Sequence, residues 1–239
     1  MSESYIKAEN VVVEFPIYNA SHRSLRKSLL SATTGGRVAS DAGKHITVRA
    51  LDGVSFEFKP GDRVGFVGHN GAGKTTLLRV LAGVYAPVAG KLAVNGRIVS
   101  LIDMSLGMEP EATGYENIFL RGIMMGLKPK EIEEKLPAIA EFSELGEHFL
   151  NMPVRTYSSG MQLRLAFAVS TSIRADIVLM DEWLSVGDKA FSEKATERLN
   201  DVVQNSSILV LASHSSELVD RMCNRVLVFE HGKITETVT

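Results

Sequence analysis

A glycine-rich segment carries the clearest chemical signal in this 239-residue chain. It fits the P-loop pattern, in which a glycine and four free positions precede a second glycine, a lysine and a hydroxyl residue. Its residues are Gly68, His69, Asn70, Gly71, Ala72, Gly73, Lys74 and Thr75, here called the phosphate loop. Glycines allow the backbone to aim successive N–H groups at phosphate oxygens, and the start of a helix adds partial positive charge. The segment is therefore predicted to bind nucleotide phosphates rather than to be a glycine-rich turn without a ligand.

The polar side chains at the end of the phosphate loop predict ATP and Mg²⁺ as cofactors. Lys74 is expected to neutralise the β and γ phosphates, and the Thr75 hydroxyl is expected to be a Mg²⁺ ligand. Thr76, the next residue, is expected to reach the α phosphate through its backbone N–H or its hydroxyl. The helix that follows should end near Gly83, which suits a C-terminal cap.

Two carboxylates at the end of an apolar run form the second half of the predicted site. Residues 177–180 read Ile-Val-Leu-Met, and Asp181 and Glu182 follow them. Asp181 is expected to hold the Mg²⁺, and Glu182 to polarise the water that attacks the γ phosphate. Charged residues commonly close strands, so the pair alone is a weak signal. Together with the phosphate loop it predicts hydrolysis rather than storage of the nucleotide.

A histidine follows a second apolar run, Ile208–Ala212. Ligands of open α/β sheets collect at the ends of such strands, so His214 should emerge beside the phosphate loop. We expect it to donate a hydrogen bond to the γ phosphate or to the attacking water. The alternative is a purely structural histidine.

Hydrophobic periodicity predicts the elements that must position these residues. Alternating apolar residues predict half-buried strands of an antiparallel N-terminal layer; they are Val11, Val13, Phe15, Val54, Phe56, Phe58, Leu92 and Val94. Residues 64–67, 177–180 and 208–212 are uniformly apolar, which is typical of central strands covered by helices. Helical spacing over residues 116–149 predicts helices with one buried side. The apolar residues on that side are Ile118, Leu120, Ile123, Ile132, Leu136 and Ile139.

These elements predict an α/β fold of the P-loop NTPase type. It should have a central mixed or parallel sheet, an N-terminal antiparallel β layer and an inserted helical subdomain over about 112–172. The chain, 1–239, is expected to form a single domain. Residues 18–50 are expected to hold an insertion, whose part 21–44 is rich in Arg and Lys. This part is either a solvated loop or a basic contact to a partner or to lipid head groups.

Composition restricts the class of protein further. Hydrophobic residues make up 45% and charged residues 23%, and the net charge of −2 argues against a broad basic face for nucleic acid. The one cysteine, Cys223, cannot form an internal disulfide, which favours a reducing compartment. No apolar run approaches the ~18 residues of a membrane helix, so a membrane role would come through a partner.

Tyr157-Ser158-Ser159-Gly160-Met161, here called the signature segment, precedes a helix that carries Leu163, Ala166, Phe167 and Ser170. In this feature the chain resembles the ABC (ATP-binding cassette) ATPases, whose signature reads Leu-Ser-Gly-Gly-Gln. Ser158 and Gly160 are retained, whereas Tyr157, Ser159 and Met161 depart from it. The resemblance implies an ABC cassette in which Ser158, Ser159 and Gly160 bind the γ phosphate held by a second copy, so that a homodimer shares two ATP sites.

Further positions are identified through the same resemblance. Ser185 and Asp188 match the D-loop, and Asp188 is expected to contact the nucleotide site. The Gln of the Q-loop should fall near Met104, and no glutamine is there. The aromatic residue that stacks on adenine has three candidates, which are Tyr18, Phe15 and His45.

The residues of three of the chain's motifs are similar to those of the ATPase subunits of bacterial polysaccharide exporters. These motifs are Arg164-Leu-Ala-Phe-Ala-Val169, Asp181-Glu-Trp-Leu-Ser-Val-Gly-Asp188 and Thr113-Gly-Tyr-Glu-Asn117. The resemblance implies an ATPase subunit on the cytoplasmic face of the inner membrane that binds a transmembrane permease and moves lipid-linked polysaccharide such as lipopolysaccharide O-antigen or teichoic acid. A C-terminal carbohydrate-binding domain, found in some O-antigen members, is not expected here. There are two rival interpretations. One is a soluble ABC ATPase acting on ribosomes or DNA, and the other is a non-hydrolysing subunit in which ATP only holds two copies together.

Overall fold

The computed structural model describes residues 3–17, 38–40, 46–104, 107–182 and 189–238. In chain order the elements are β1 (Tyr5–Ile17), β2 (Val38–Ser40), β3 (Ile46–Phe58), β4 (Arg63–Val67), α1 (Lys74–Leu81), β5 (Ala89–Asn95), β6 (Ile98–Ser100), α2 (Gly114–Met124), α3 (Pro129–Ser143), α4 (Gly146–Leu150), a 3₁₀ turn (Val154–Thr156), α5 (Ser159–Thr171), β7 (Ile177–Asp181), α6 (Lys189–Gln204), β8 (Ile208–Ala212), α7 (Ser216–Met222), β9 (Arg225–Glu230) and β10 (Lys233–Val238). They form two compact units, Met1–Gly96 with Ser207–Thr239, and Arg97–Ser206.

The first unit contains the predicted antiparallel layer. Its strand order is β2-β3-β1-β5, and β1 pairs antiparallel with both β3 and β5. Val11, Val13, Val54 and Phe58 are buried, as their alternation predicted. Residues 46–50 of the predicted insertion belong to β3, whereas 18–37 and 41–45 lie outside the described residues.

The same unit contains the uniformly apolar strands. β4 pairs parallel with β8 on one side and with β9 on the other, and β10 is antiparallel to β9. All five residues of β8 are buried, because neither face of a helix-covered strand meets water. Helix α1 ends as predicted near Gly83, whose positive φ of 76° lets Val84 N–H reach the Arg79 carbonyl at 2.8 Å.

The second unit consists of the parallel pair β6 and β7 and the helices α2 to α6. Helix α2 begins with a capping box formed by Thr113 and Glu116. Asn117 is fully buried, and its side-chain amide donates to the carbonyl oxygens of Glu109 at 2.9 Å and Thr113 at 3.0 Å. Phe142, Phe167 and Phe191 form an aromatic cluster between α3, α5 and α6.

One expectation for the helices is wrong. Ile118, Ile132 and Ile139 are buried, but Leu120 is 43% exposed and Ile123 is 44% exposed. The buried side of α2 instead includes Arg121 and Gly122. Because α2 and α3 are separate helices, the apolar residues in the range 116–149 do not form one continuous buried side. Leu120, Ile123 and Met124, which is 70% exposed, form what we call the apolar patch.

Two further features concern the surroundings of the chain. In the part of the chain that the structure describes, every helix is too short or too polar to cross a membrane. Cys223 is half-buried, and burial raises the pKa of its thiol to about 11. The thiol therefore stays protonated at neutral pH, and a protonated thiol is a weak nucleophile.

Candidate active site

The phosphate loop joins β4 to α1 in the predicted strand, loop, helix order. Gly68, Gly71 and Gly73 have φ values of 145°, 74° and 115°, which side-chain-bearing residues rarely adopt. Gly73 is the N-cap of α1. His69, Asn70 and Gly71 are exposed, whereas Ala72, Gly73 and Lys74 are buried. The loop therefore brings backbone N–H groups to the start of a helix, as anion binding requires.

At two of these glycines, the backbone of neighbouring strands leaves no room for a side chain. A Cβ atom on Gly68 would overlap the Phe229 carbonyl oxygen in β9, and one on Gly73 would lie 2.9 Å from the Ala50 carbonyl oxygen in β3. Gly232 N–H donates to the Ala72 carbonyl at 2.8 Å. The shape of the loop is therefore fixed by β3, by β9 and by the turn after β9, contacts that the local motif does not reveal.

Lys74 lies inside the loop. Its residue is only 6% exposed, and its Nζ donates to the carbonyl oxygens of Gly68 at 2.6 Å and His69 at 3.2 Å. Thr75 and Thr76 follow in the first turn of α1 and are half-buried. The ammonium group is thus held over the turn of the loop, where it can neutralise bound phosphate.

His214 emerges at the same strand end as the phosphate loop. Ala212 in β8 pairs with Phe66 in β4, and Ser213 N–H donates to the Phe66 carbonyl at 3.3 Å. Phe66 is two residues before Gly68 and Ala212 is two residues before His214, which is exposed. The structure therefore brings His214 to the edge of the sheet at which the phosphate loop begins.

Asp181 and Glu182 lie in the second unit, at the end of β7. The four preceding residues are buried, Asp181 is half-buried and Glu182 is exposed. Glu182 has a positive φ of 69°, which is uncommon for a residue with a side chain. Strained backbone of this kind persists where surrounding structure imposes it and clusters at functional sites. The sequence pattern located both carboxylates but gave no sign of this backbone conformation.

The signature segment begins α5 in the second unit. Ser158 is exposed and is the N-cap of α5, where its Oγ accepts from Met161 N–H at 3.2 Å. Ser159 is exposed and Gly160 is half-buried. These residues border a cavity of about 540 Å³ with Glu144, Leu145, Phe149, Met161, Leu163 and Arg164. The helix start is therefore accessible to an anion brought by another molecule.

Tyr157, which departs from the ABC signature, has a specific structural environment. It is 6% exposed, and its hydroxyl donates to the Phe149 carbonyl at 2.6 Å. Burial raises the pKa of Tyr157 above its ordinary value. A Cβ on Gly114, the first residue of α2, would overlap the Tyr157 hydroxyl and lie 3.0 Å from Leu150 Cα. Tyr157 thus anchors the signature segment to α4 and depends on a glycine at 114.

This packing makes a prediction for Gly114→Ala. Overpacking should destabilise the protein by about 1–3 kcal/mol, measured as the free energy of unfolding in urea. Tyr157→Phe removes the overlapping oxygen, so the double variant should be more stable than the sum of the two single changes predicts. Gly160→Ala is the control, because its nearest neighbour would be Ser158 Oγ at 3.9 Å. Strict additivity would show that the two residues do not meet.

Several predicted site residues have no described position. Asp188 and Ser185 fall in 183–188, and Tyr18 and His45 fall in the undescribed part of the insertion, all outside the described residues. Met104, near the expected Q-loop position, is buried. Phe15 is half-buried and packs edge-to-face on Tyr85, with ring centroids 5.0 Å apart.

Solved structures with this fold are ATP-binding cassettes. The dimeric cassette MJ0796, in a post-hydrolysis state with bound ADP and Pi, is 19% identical with a TM-score of 0.69, covering 98% of both chains. A second dimeric structure of MJ0796 has a TM-score of 0.67 at 20% identity. The fold is therefore that of an ABC-type nucleotide-binding domain, with strand, phosphate loop and helix as observed here.

The chain belongs to the ABC transporter family, whose model matches residues 51–185, and it is an ATPase of that family. It is 48% identical to the O-antigen export system ATP-binding protein RfbE of Yersinia enterocolitica, over 95% of both chains. It is 39% identical to RfbB, the corresponding protein of Myxococcus xanthus, over 89% of this chain and 48% of that one. Identity to the teichoic acids export ATP-binding protein TagH of Listeria monocytogenes is 41%, over 80% and 56%. The chain thus spans about half the length of the last two relatives.

Proposed function

We propose that this chain is the ATP-hydrolysing subunit of a membrane exporter of lipid-linked polysaccharide such as lipopolysaccharide O-antigen. The similarity to the Yersinia O-antigen export protein over 95% of both chains carries this proposal. Export of teichoic acid or another surface polysaccharide is the alternative, supported by the Listeria relative. The subunit would act as a homodimer on the cytoplasmic face of the inner membrane, attached through a transmembrane permease.

Each ATP would be bound by residues from both copies. The phosphate loop and Lys74 would hold the phosphates, Thr76 would contact the α phosphate, and one of Phe15, Tyr18 and His45 would stack on adenine. The partner copy would contribute Ser158, with Ser159 and Gly160. Asp188 would lie near the same site.

The donor set suits Mg²⁺. The Thr75 hydroxyl and the Asp181 carboxylate offer the hard oxygen ligands that Mg²⁺ prefers alongside phosphate oxygens. When bound, the ion would stabilise negative charge on the β and γ phosphates. Thr75 and Asp181 would hold it there.

Hydrolysis would need one base and one hydrogen-bond donor. Glu182 would accept a proton from the attacking water as the water oxygen bonds to the γ phosphorus and the bond to the ADP oxygen breaks. His214, from the edge where the phosphate loop begins, would donate a hydrogen bond to the γ phosphate or to the water. The products are ADP and inorganic phosphate.

The energy for transport would come from a shift in the populations of the open and closed dimer. ATP favours the closed dimer only to the extent that it binds that state more tightly, and hydrolysis removes this preference. Opening and closing would then drive the transmembrane partner.

The apolar patch supports a partner contact. Leu120, Ile123 and Met124 lie on the last turns of α2 and expose apolar side chains together. Clustered exposed apolar residues mark interaction sites, whereas single ones do not. We assign this patch to the transmembrane partner.

Met124→Glu should therefore reduce the amount of a polytopic membrane protein that co-purifies from solubilised membranes by about tenfold or more, because a charge would be buried in the contact. ATP turnover of the isolated subunit should not change. Val88→Glu, at an apolar residue of 61% exposure in the other unit, is the matched control. Unreduced co-purification would remove the patch from the proposal, and ribosomes or DNA in place of a membrane protein would favour a soluble ABC ATPase.

A further inference from the structure

Glu144 connects three helices of the second unit. It directly follows α3 and has a positive φ of 56°, so the chain turns sharply there. Its carboxylate accepts from Lys194 Nζ in α6 at 2.8 Å and lies 3.7 Å from Arg164 Nη1 in α5. One carboxylate therefore joins the end of α3 to both α5 and α6.

Arg164 is the more buried of the two cations. Its side chain is 18% exposed, against 39% for Lys194. Its guanidinium carbon lies 4.6 Å from the centre of the Phe191 ring in α6. Arg164 is thus held between an anion and an aromatic face, both of which favour one orientation of a guanidinium group.

The helices joined in this way carry different parts of the proposed site. Helix α5 starts at the signature segment, and Arg164 lies on the same cavity as Ser158 and Gly160. Helix α6 is the next described element after Asp181 and Glu182 in the chain. Under the proposed function, Ser158 serves the ATP of the partner copy, whereas Glu182 serves the ATP of its own copy.

We propose that Glu144 is a positioning residue that keeps α5 in register with α6 and thereby couples the two ATP sites of the dimer. A change at one site that moves α6 reaches Ser158 through Glu144 and Arg164, and Ser158 belongs to the other site. This inference rests on the proposed function, because it requires a site shared between two copies.

Such a link should affect rate and cooperativity rather than binding. Mutations in coupling networks change the linkage between sites by a few-fold to about 30-fold. Glu144→Gln keeps the size of the side chain and removes its charge. It should lower kcat about three- to tenfold, leave KM within about twofold and bring the Hill coefficient for ATP toward one.

Three variants make the experiment specific. Glu144→Asp keeps the charge in a residue type that accepts positive φ, so it should restore most of the cooperativity. Glu133→Gln makes the same chemical change at an exposed position of α3 and should behave as wild type. Lys194→Met combined with Glu144→Gln should cost less than the product of the separate effects.

The outcomes separate this inference from the proposed function. If wild-type protein associates with ATP but releases no phosphate, the proposed function fails and this inference fails with it. If Glu182→Gln abolishes turnover while Glu144→Gln retains wild-type kcat and Hill coefficient, only the role of Glu144 is wrong. A fall in kcat that matches a loss of folded protein, without rescue by Glu144→Asp, would also overturn it.

Discussion

Replacement of Glu182 by glutamine is expected to lower ATP turnover by about 10²–10⁴-fold, because the amide cannot take the proton of the attacking water. Glutamine has nearly the same shape, and the positive φ at this position is equally uncommon for both residues. ATP binding should persist, so ATP should still bring two copies together. Phosphate release measures the first effect, and light scattering with and without MgATP measures the second.

Glu217→Gln, at an exposed carboxylate in the first turn of α7, is a control for the loss of charge and should leave turnover unchanged. Unchanged turnover in Glu182→Gln would show that the base is a different group. Loss of ATP-dependent association in the same variant would instead give Glu182 a binding role. Wild-type protein that associates with ATP but releases no phosphate would support the non-hydrolysing alternative.

Two inactive variants should restore activity when mixed. Lys74→Met removes the ammonium that the phosphate loop holds, and Ser158→Arg places a long cation at the exposed start of α5. Each variant alone should lose ATP turnover by about two orders of magnitude or more. A mixed dimer pairs one site that carries both changes with one site that carries neither. Half of the dimers in an equal mixture are mixed and each of these has one intact site, so turnover should recover to at most about a quarter of the wild-type value, and to less if the intact site depends on the other.

As a reference for subunit exchange, each variant is also mixed with wild-type protein at the concentration used for the other variant. Urea unfolding checks that the loss of the Ser158 cap, worth about 1 kcal/mol, does not unfold the protein. Activity that stays at the level of the separate variants after exchange would show that Ser158 and Lys74 act within the same copy. That result would exclude the shared site.

Local features of the sequence were sufficient for much of the fold. Residues 64–67, 177–180 and 208–212 are uniformly apolar, and the strands that they form, β4, β7 and β8, are almost entirely buried. The phosphate loop was equally recognisable, since its glycine and lysine positions follow from the contacts of phosphate with backbone. These predictions depend only on neighbours in the chain.

Long-range contacts account for what the sequence did not show. Periodicity grouped Leu120 and Ile123 with Ile118 on one buried side, but only Ile118 of the three is buried. The buried side of α2 is completed by Arg121 and Gly122, which apolar periodicity does not single out. The dependence of Tyr157 on Gly114 and the three-helix role of Glu144 arise from residues far apart in the chain. The positive φ of Glu182 is likewise imposed by its surroundings rather than by residue type.

The contacts of Gly68 with Phe229 and of Ala72 with Gly232 have a consequence for biosynthesis. The segment that receives phosphate is made early, but the backbone that braces it is made about 160 residues later. A nascent chain should therefore gain no stabilisation from nucleotide until residue 232 has left the ribosomal exit tunnel. Until then, the amino-terminal strands must fold, or be protected by chaperones, without help from their ligand.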